Sequence, residues 1–118
     1  MLATTRTARQ TLRRRAATTR LRASLNRGRA IATHVIAAGV ETDAVAGITN
    51  GLRSVAKRLH VEPVKVTRTH RTVQGHGRMR RVGHYTTAQL VRLAAAYRPR
   101  KAELITALTV LTGFLAAA

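Results

Sequence analysis

The stretch Thr42-Asp43-Ala44-Val45-Ala46-Gly47-Ile48-Thr49-Asn50-Gly51-Leu52-Arg53-Ser54-Val55-Ala56-Lys57-Arg58-Leu59 decides how this chain folds. Its larger apolar residues fall at Val45, Ile48, Leu52, Val55 and Leu59, at intervals of three, four, three and four. That spacing predicts an α-helix over 42–59 with one buried stripe. A second face carries Thr49, Asn50, Arg53, Ser54 and Lys57, and no acid occurs between Asp43 and Glu62. Thr42 suits the N-cap, and Glu41 and Asp43 complement the positive end of the helix dipole. Buried on one side, such a helix offers amide, hydroxyl and guanidinium groups on the other, as base edges in a DNA major groove require. A solvated surface helix would show the same periodicity, so the flanking segments have to decide.

Upstream, Asn26-Arg27-Gly28 reads as a helix stop. Arg29 to Ala38 reads as a short helix with Ile31, Val35 and Ala38 on one face, and Gly39-Val40 turns the chain into Thr42. Helix, glycine-plus-hydrophobe turn, helix is the pattern of a helix-turn-helix. Downstream, Glu62-Pro63 is expected to end the long helix. Val64 to Val73 is rich in β-branched residues, Gln74-Gly75-His76-Gly77 has turn chemistry, and Arg78 to Tyr85 returns as a second strand. The hairpin holds Arg68, His70, Arg71, His76, Arg78, Arg80 and Arg81 without an acid.

Residues 8–86 resemble a winged helix-turn-helix DNA-binding domain. The order 42–59, 64–73, 78–86 is similar to that of MarR-type regulators, in which the recognition helix leads into a basic hairpin and a threonine then opens the next helix. Thr86 stands at that last place. Val35 stands where a small residue is usual, and the hairpin has no Asp-x-Arg pattern. The resemblance implies a mainly α fold with one β-hairpin, a winged helix-turn-helix with two C-terminal helices. It implies binding of double-stranded DNA in transcriptional control or DNA architecture, in a bacterium or its mobile elements.

The remaining segments divide the chain into a basic arm (1–26), the winged region (27–86) and a helical pair (87–118). Met1 to Arg29 holds nine arginines and no acid. Leu12, Ala16, Leu21 and Leu25 predict a weakly docked helix over 8–26, and a disordered polybasic tail is the alternative. Thr86-Thr87-Ala88-Gln89 is a capping-box pattern, followed by an apolar face of Leu90, Leu93, Ala94 and Tyr97. After Arg98-Pro99, a last helix places Leu104, Leu108, Leu111 and Leu115 at intervals of four, three and four. Two roles stand open for these leucines: a homodimer interface through 100–117, or closure of the chain's own core.

Composition names the kind of partner. Lys and Arg total 22 against four acids, a formal charge of +18 over 118 residues. Such a chain repels itself unless it meets a polyanion. No apolar run reaches the ~18 residues of a membrane span. Aromatic stacking on single strands has only Tyr85, Tyr97 and Phe114 to draw on. Cysteine is absent, Glu41, Asp43, Glu62 and Glu103 are dispersed, and the five histidines match no zinc spacing. Neither an enzyme nor a metal or cofactor site is expected, and the N-terminal composition, though transit-like, continues in kind to Arg100. The expectation is a cytoplasmic, nucleoid-associated DNA binder. Asn50, Arg53, Ser54, Lys57 and Thr49 would face the groove, Arg68, Arg71, Arg78, Arg80 and Arg81 would grip the flanks, and Arg13, Arg14 and Arg15 would add salt-sensitive affinity. A structural RNA binder or nucleoprotein packaging component, without sequence preference, is the alternative.

Overall fold

The computed structural model describes residues 2–73 and 76–117, with the side chains of residues 2, 3, 71–73, 76 and 78 outside the described set. In chain order the elements are α1 (Leu2–Arg27), β1 (Arg29–Ala30), α2 (Ile31–Ala37), α3 (Thr42–Arg58), β2 (Lys65–Val73), β3 (His76–Tyr85), α4 (Thr87–Ala96) and α5 (Ala102–Ala116). The chain is thus mainly helical with a basic hairpin, as its sequence suggests. One strand is new. Arg29 and Ala30 do not begin α2 but pair antiparallel with Tyr85 and His84, giving a sheet of order β1-β3-β2. A two-residue strand leaves no periodic trace in a sequence. What makes room for it is Gly28, at φ +124°, where a Cβ would lie 2.8 Å from Val64 Cγ2.

Within the hairpin the register runs from Lys65↔His84 to Val73↔His76. His76 and Gly77 therefore belong to the strand rather than to the turn. Gln74 and Gly75, the other half of the expected turn, lie outside the described residues.

α3 is the helix its periodicity predicts, with three corrections. Glu41, not Thr42, is the N-cap, with φ −51° and ψ 135°, and its carbonyl accepts from Ala44 N–H at 2.9 Å. The C-terminus is closed before Glu62-Pro63. His60 takes φ +56°, so that its N–H reaches the Lys57 carbonyl and Val61 N–H reaches Ala56. This is a Schellman closure made by a histidine where glycine is usual. The buried arc is also broader than the expected stripe. Ile48, Leu52 and Val55 are buried, Val45 and Leu59 only partly, and Ala44, Thr49 and Ala56 join them. The cause is packing on several sides at once, by α2, α4 and α5.

Two glycines inside α3 allow that approach. Leu104 of α5 lies against Gly47, and the Tyr97 ring at the end of α4 lies over Gly51, so close that a Cβ there would clash with it. α4 opens with the predicted capping box: Gln89 N–H donates to Thr86 Oγ1 at 3.2 Å, and Thr86 N–H donates to Gln89 Oε1 at 2.8 Å. On α5, Leu111 and Leu115 are buried with Ala107, and Leu104 and Leu108 pack against the same core. The leucines thus serve the chain's own interior. A second copy meeting this helix would find chiefly Ile105, Thr106, Thr109 and Val110, all exposed.

α1 is longer than the predicted 8–26 and meets the body only near its end. Leu12 is 64% exposed and Leu21 40%, whereas Leu25 is 1% exposed. Beside it, the Arg22 guanidinium lies 3.6 Å from the centre of the Phe114 ring and donates to the Phe114 carbonyl at 2.8 Å. A cation at the C-terminal end of α5 also complements that helix's dipole.

His34, fully buried, ties α2 to the sheet. Its Nε2–H donates to the Tyr85 carbonyl at 2.7 Å, which leaves Nδ1 unprotonated and without a partner. Burial holds this imidazole below its ordinary value of 6.5; the backbones of Tyr85 and Arg29 oppose the shift and the Arg29 charge adds to it.

Two expectations follow from these contacts. Gly51→Ala, despite alanine's helix preference of about 1 kcal/mol, is expected to lower unfolding free energy by about 1–3 kcal/mol in denaturant titration, because Tyr97 must move. For His34, the unfolded chain takes up a proton near pH 6.5 that the native chain refuses. Stability is therefore complete above that pH and falls as pH drops through it, by at most about 1.4 kcal/mol per pH unit for one proton. Thermal melts from neutral to mildly acidic pH should show the fall, and His34→Gln should remove that component.

Candidate nucleic-acid interface

The packed arc of α3 leaves the other side of the helix bare. Thr42, Ala46, Asn50, Arg53, Ser54 and Lys57 are exposed there. Thr42, Ala46, Asn50, Arg53 and Lys57 recur at four, four, three and four residues, so they form one ridge. Four of the five expected α3 contacts belong to this face; Thr49 lies at the edge between it and the packed arc, where it still lines a hollow with Asn50 and Arg53. It stands four residues after Val45 and three before Leu52, which puts it on the packed edge, at 4% exposure. Polarity suggested the outer face, but position decides. Its Oγ1 is buried with no hydrogen-bond partner. Ser54 Oγ donates to the Asn50 carbonyl at 3.1 Å, so that hydroxyl is turned onto its own helix. Ala46 carries no chemical signal as an alanine, and only its spacing from Thr42 and Asn50 marks it as part of this ridge.

Arg53 is where helix and hairpin meet. It lines two hollows, and Arg80 of β3 lines both with it. One is walled by Ala30, Ile31, Gly83 and Tyr85, the other by Ile36, Val45, Ala46, Thr49 and Asn50. Ile36, 63% exposed, is an apolar wall beside two polar groups. Burial pushes the Tyr85 phenol above its ordinary value, Glu62 adds to the shift and Arg53 opposes it, so the ring stays neutral beside the guanidinium. The short strand β1 matters here, because Ala30 forms part of the first wall.

On the hairpin, Arg68 stands directly opposite Arg81, and Thr69 opposite Arg80. Side chains alternate across a strand, so Arg68 and Arg81 share one face and Arg80 the other. A like-charged pair facing across strands is destabilising unless an anion lies between or beside it. Arg71 and Arg78 are register partners, but their side chains lie outside the described residues. His84 is bound to Thr67, Nε2 to Oγ1 at 2.9 Å, rather than turned toward a ligand.

Arg13, Arg14 and Arg15 are all exposed on α1. The structure does not bring them together: consecutive helical residues diverge by about 100°. Dispersal in sequence also misleads for the acids. Glu41, Asp43 and Glu103 line one hollow between the starts of α3 and α5. Among the described residues no three His, Asp or Glu side chains are disposed to hold a metal ion.

Comparison with protein-family models, with curated proteins and with solved structures finds no match to this chain.

Thr49→Val separates the two roles open to that residue. It replaces an unsatisfied buried hydroxyl by a methyl of similar shape. The protein is expected to gain about 1 kcal/mol in chemical denaturation, and the result of a duplex-binding assay should not change, since the buried Oγ1 is not exposed in the hollow. Loss of binding without loss of stability would return Thr49 to the contact face.

Proposed function

We propose that this protein binds double-stranded DNA as a winged helix-turn-helix, with α3 as the recognition helix and the β2–β3 hairpin as the wing. The observation that carries the reading is the shared position of Arg53 and Arg80. One comes from the bare face of α3 and the other from the hairpin, and both line the same two hollows. A duplex offers the matching surface, with base edges in the groove and phosphates along its rims. Asn50 suits adenine and Arg53 suits guanine, each by two hydrogen bonds, and Ala46 beside them suits a thymine methyl. Lys57, Arg68, Arg80 and Arg81 supply phosphate contacts.

Several features support this reading. α2 and α3 pack on each other across a turn in which Gly39 takes φ +84°. β1 anchors the hairpin at its root, so the wing springs from a fixed base. No helix among the described residues is long and apolar enough to cross a membrane. The partly buried Tyr85 offers no free stacking platform, which favours duplex over single strands. The role that follows is transcriptional control or DNA architecture beside the nucleoid. RNA packaging without sequence preference is its alternative.

Arg53→Ala and Asn50→Ala are expected to reduce discrimination between a selected site and random duplex by about 1–3 kcal/mol each. Arg80→Ala should weaken binding to both alike, with helical circular dichroism intact. Affinity in filter binding should fall by roughly 0.9 log units per log unit of salt for each phosphate contact. Equal loss on selected and random duplex for all three variants would make the protein a packaging component. A salt slope near zero would remove nucleic acid altogether.

A further inference from the structure

Five of the eight arginines of α1 share one side of the helix. Arg6, Arg13, Arg20 and Arg27 recur every seven residues, and Arg9 falls three after the first. A seven-residue step drifts only about 20° around an α-helix, so the four stay within about 60° of one another. Arg9 lies inside the same band, and Arg6, Arg9 and Arg13 line one shallow groove with Thr5 and Gln10. At about 1.5 Å per residue the stripe is roughly 31 Å long, close to the 34–36 Å of one DNA turn.

The rest of α1 does not compete for that role. Arg14 and Arg15 point to other sides, and Arg22 is held on Phe114. Thr11, Thr18 and Thr19 donate their hydroxyls to the carbonyls of Thr7, Arg14 and Arg15. Leu12 and Leu21 are exposed but lie about 180° apart, so α1 has no apolar face with which to enter a membrane. No acid occurs in α1 to neutralise the stripe from within the helix. The stripe also starts beside the interface: from Arg27 the chain reaches Ala30, a wall of the Arg53–Arg80 hollow, in three residues, within about 11 Å.

We infer that α1 is a helical arm whose Arg6–Arg9–Arg13–Arg20–Arg27 stripe lies along the phosphate backbone of duplex DNA, carrying the contact about one helical turn beyond the α3 site. This rests on the proposed DNA-binding role and adds to it a second, sequence-independent contact with its own length. Docked only at its C-terminal end, the arm is held in direction by Leu25 and Arg22, and its outer turns are free to meet the duplex.

Two double variants of equal charge test it: Arg13→Gln with Arg20→Gln on the stripe, and Arg14→Gln with Arg15→Gln off it. All four positions are exposed, and none touches the Arg22–Phe114 anchor. Each is titrated, with wild type and Arg53→Ala, against a duplex covering the α3 site and against one longer by a helical turn. Loss of two phosphate contacts should make the salt slope shallower by about 1.8, so wild type loses about twelvefold more affinity than the stripe variant between about 50 and 200 mM salt. The off-stripe variant should keep most of the wild-type slope, and only stripe-bearing proteins should gain from the longer duplex. Equal effects of the two pairs would mean that α1 acts through diffuse charge, which overturns the stripe. If neither pair matters while Arg53→Ala weakens binding, the arm is off the DNA and the DNA-binding role survives without it. If wild type ignores duplex and binds single-stranded RNA or anionic vesicles instead, both fall.

Discussion

The removal of Ile48 and Leu52 from solvent is the contact on which the body of this protein depends. Both are fully buried, and each contributes about 1.5–3 kcal/mol by leaving water. They do more than stabilise. α2, α4 and α5 all pack on α3, so those two side chains decide which way the helix faces. Gly47 and Gly51 sharpen the constraint, because their missing side chains admit Leu104 and Tyr97 at short range. With about half its circumference committed to packing, α3 has one orientation left, and the Asn50–Arg53–Lys57 ridge is what that orientation exposes.

Electrostatics then acts on a surface already chosen by packing. Three of the four carboxylates gather where α3 and α5 begin, two of them within a turn of the α3 N-terminus, which the helix dipole favours. Arg53 and Arg80 share their hollows with no carboxylate lining either. The hairpin opposes Arg68 to Arg81 and α1 stacks arginines along one side, arrangements that cost stability in the free protein. In the proposed complex those costs are offset by phosphates, and the release of counterions makes binding depend steeply on salt.

Much of this is legible in the sequence, for a reason common to each element. The periodicity of 45, 48, 52 and 55, the Thr86–Gln89 capping box and the β-branched run from Val64 to Val73 are local patterns with local causes. What was not readable depends on partners distant in sequence. β1 exists only because β3 lies beside it. Thr49 differs: its spacing from Val45 and Leu52 places it at the packed edge, while its polarity argues for the outer face. That the α5 leucines cover the chain's own core follows only from the position of α3 and α4. The arginine stripe is a different case. Its seven-residue spacing stands in the sequence beside the apolar line of Leu12, Ala16 and Leu21, and only the exposure of Leu12 and Leu21 shows that this line does not set how the helix faces.

The central claim is that a duplex seats on the bare face of α3 and on the hairpin, and amide chemical-shift mapping by NMR addresses it without any substitution. On titration with a duplex, the largest shifts should fall on Ala46, Asn50, Arg53, Ser54 and Lys57, with Arg68, Arg80 and Arg81. The acidic hollow at Asp43, Glu103 and Thr106 should stay near its free positions. Shifts concentrated on α4 and α5, or spread evenly over every basic residue with none on the α3 ridge, would contradict the account.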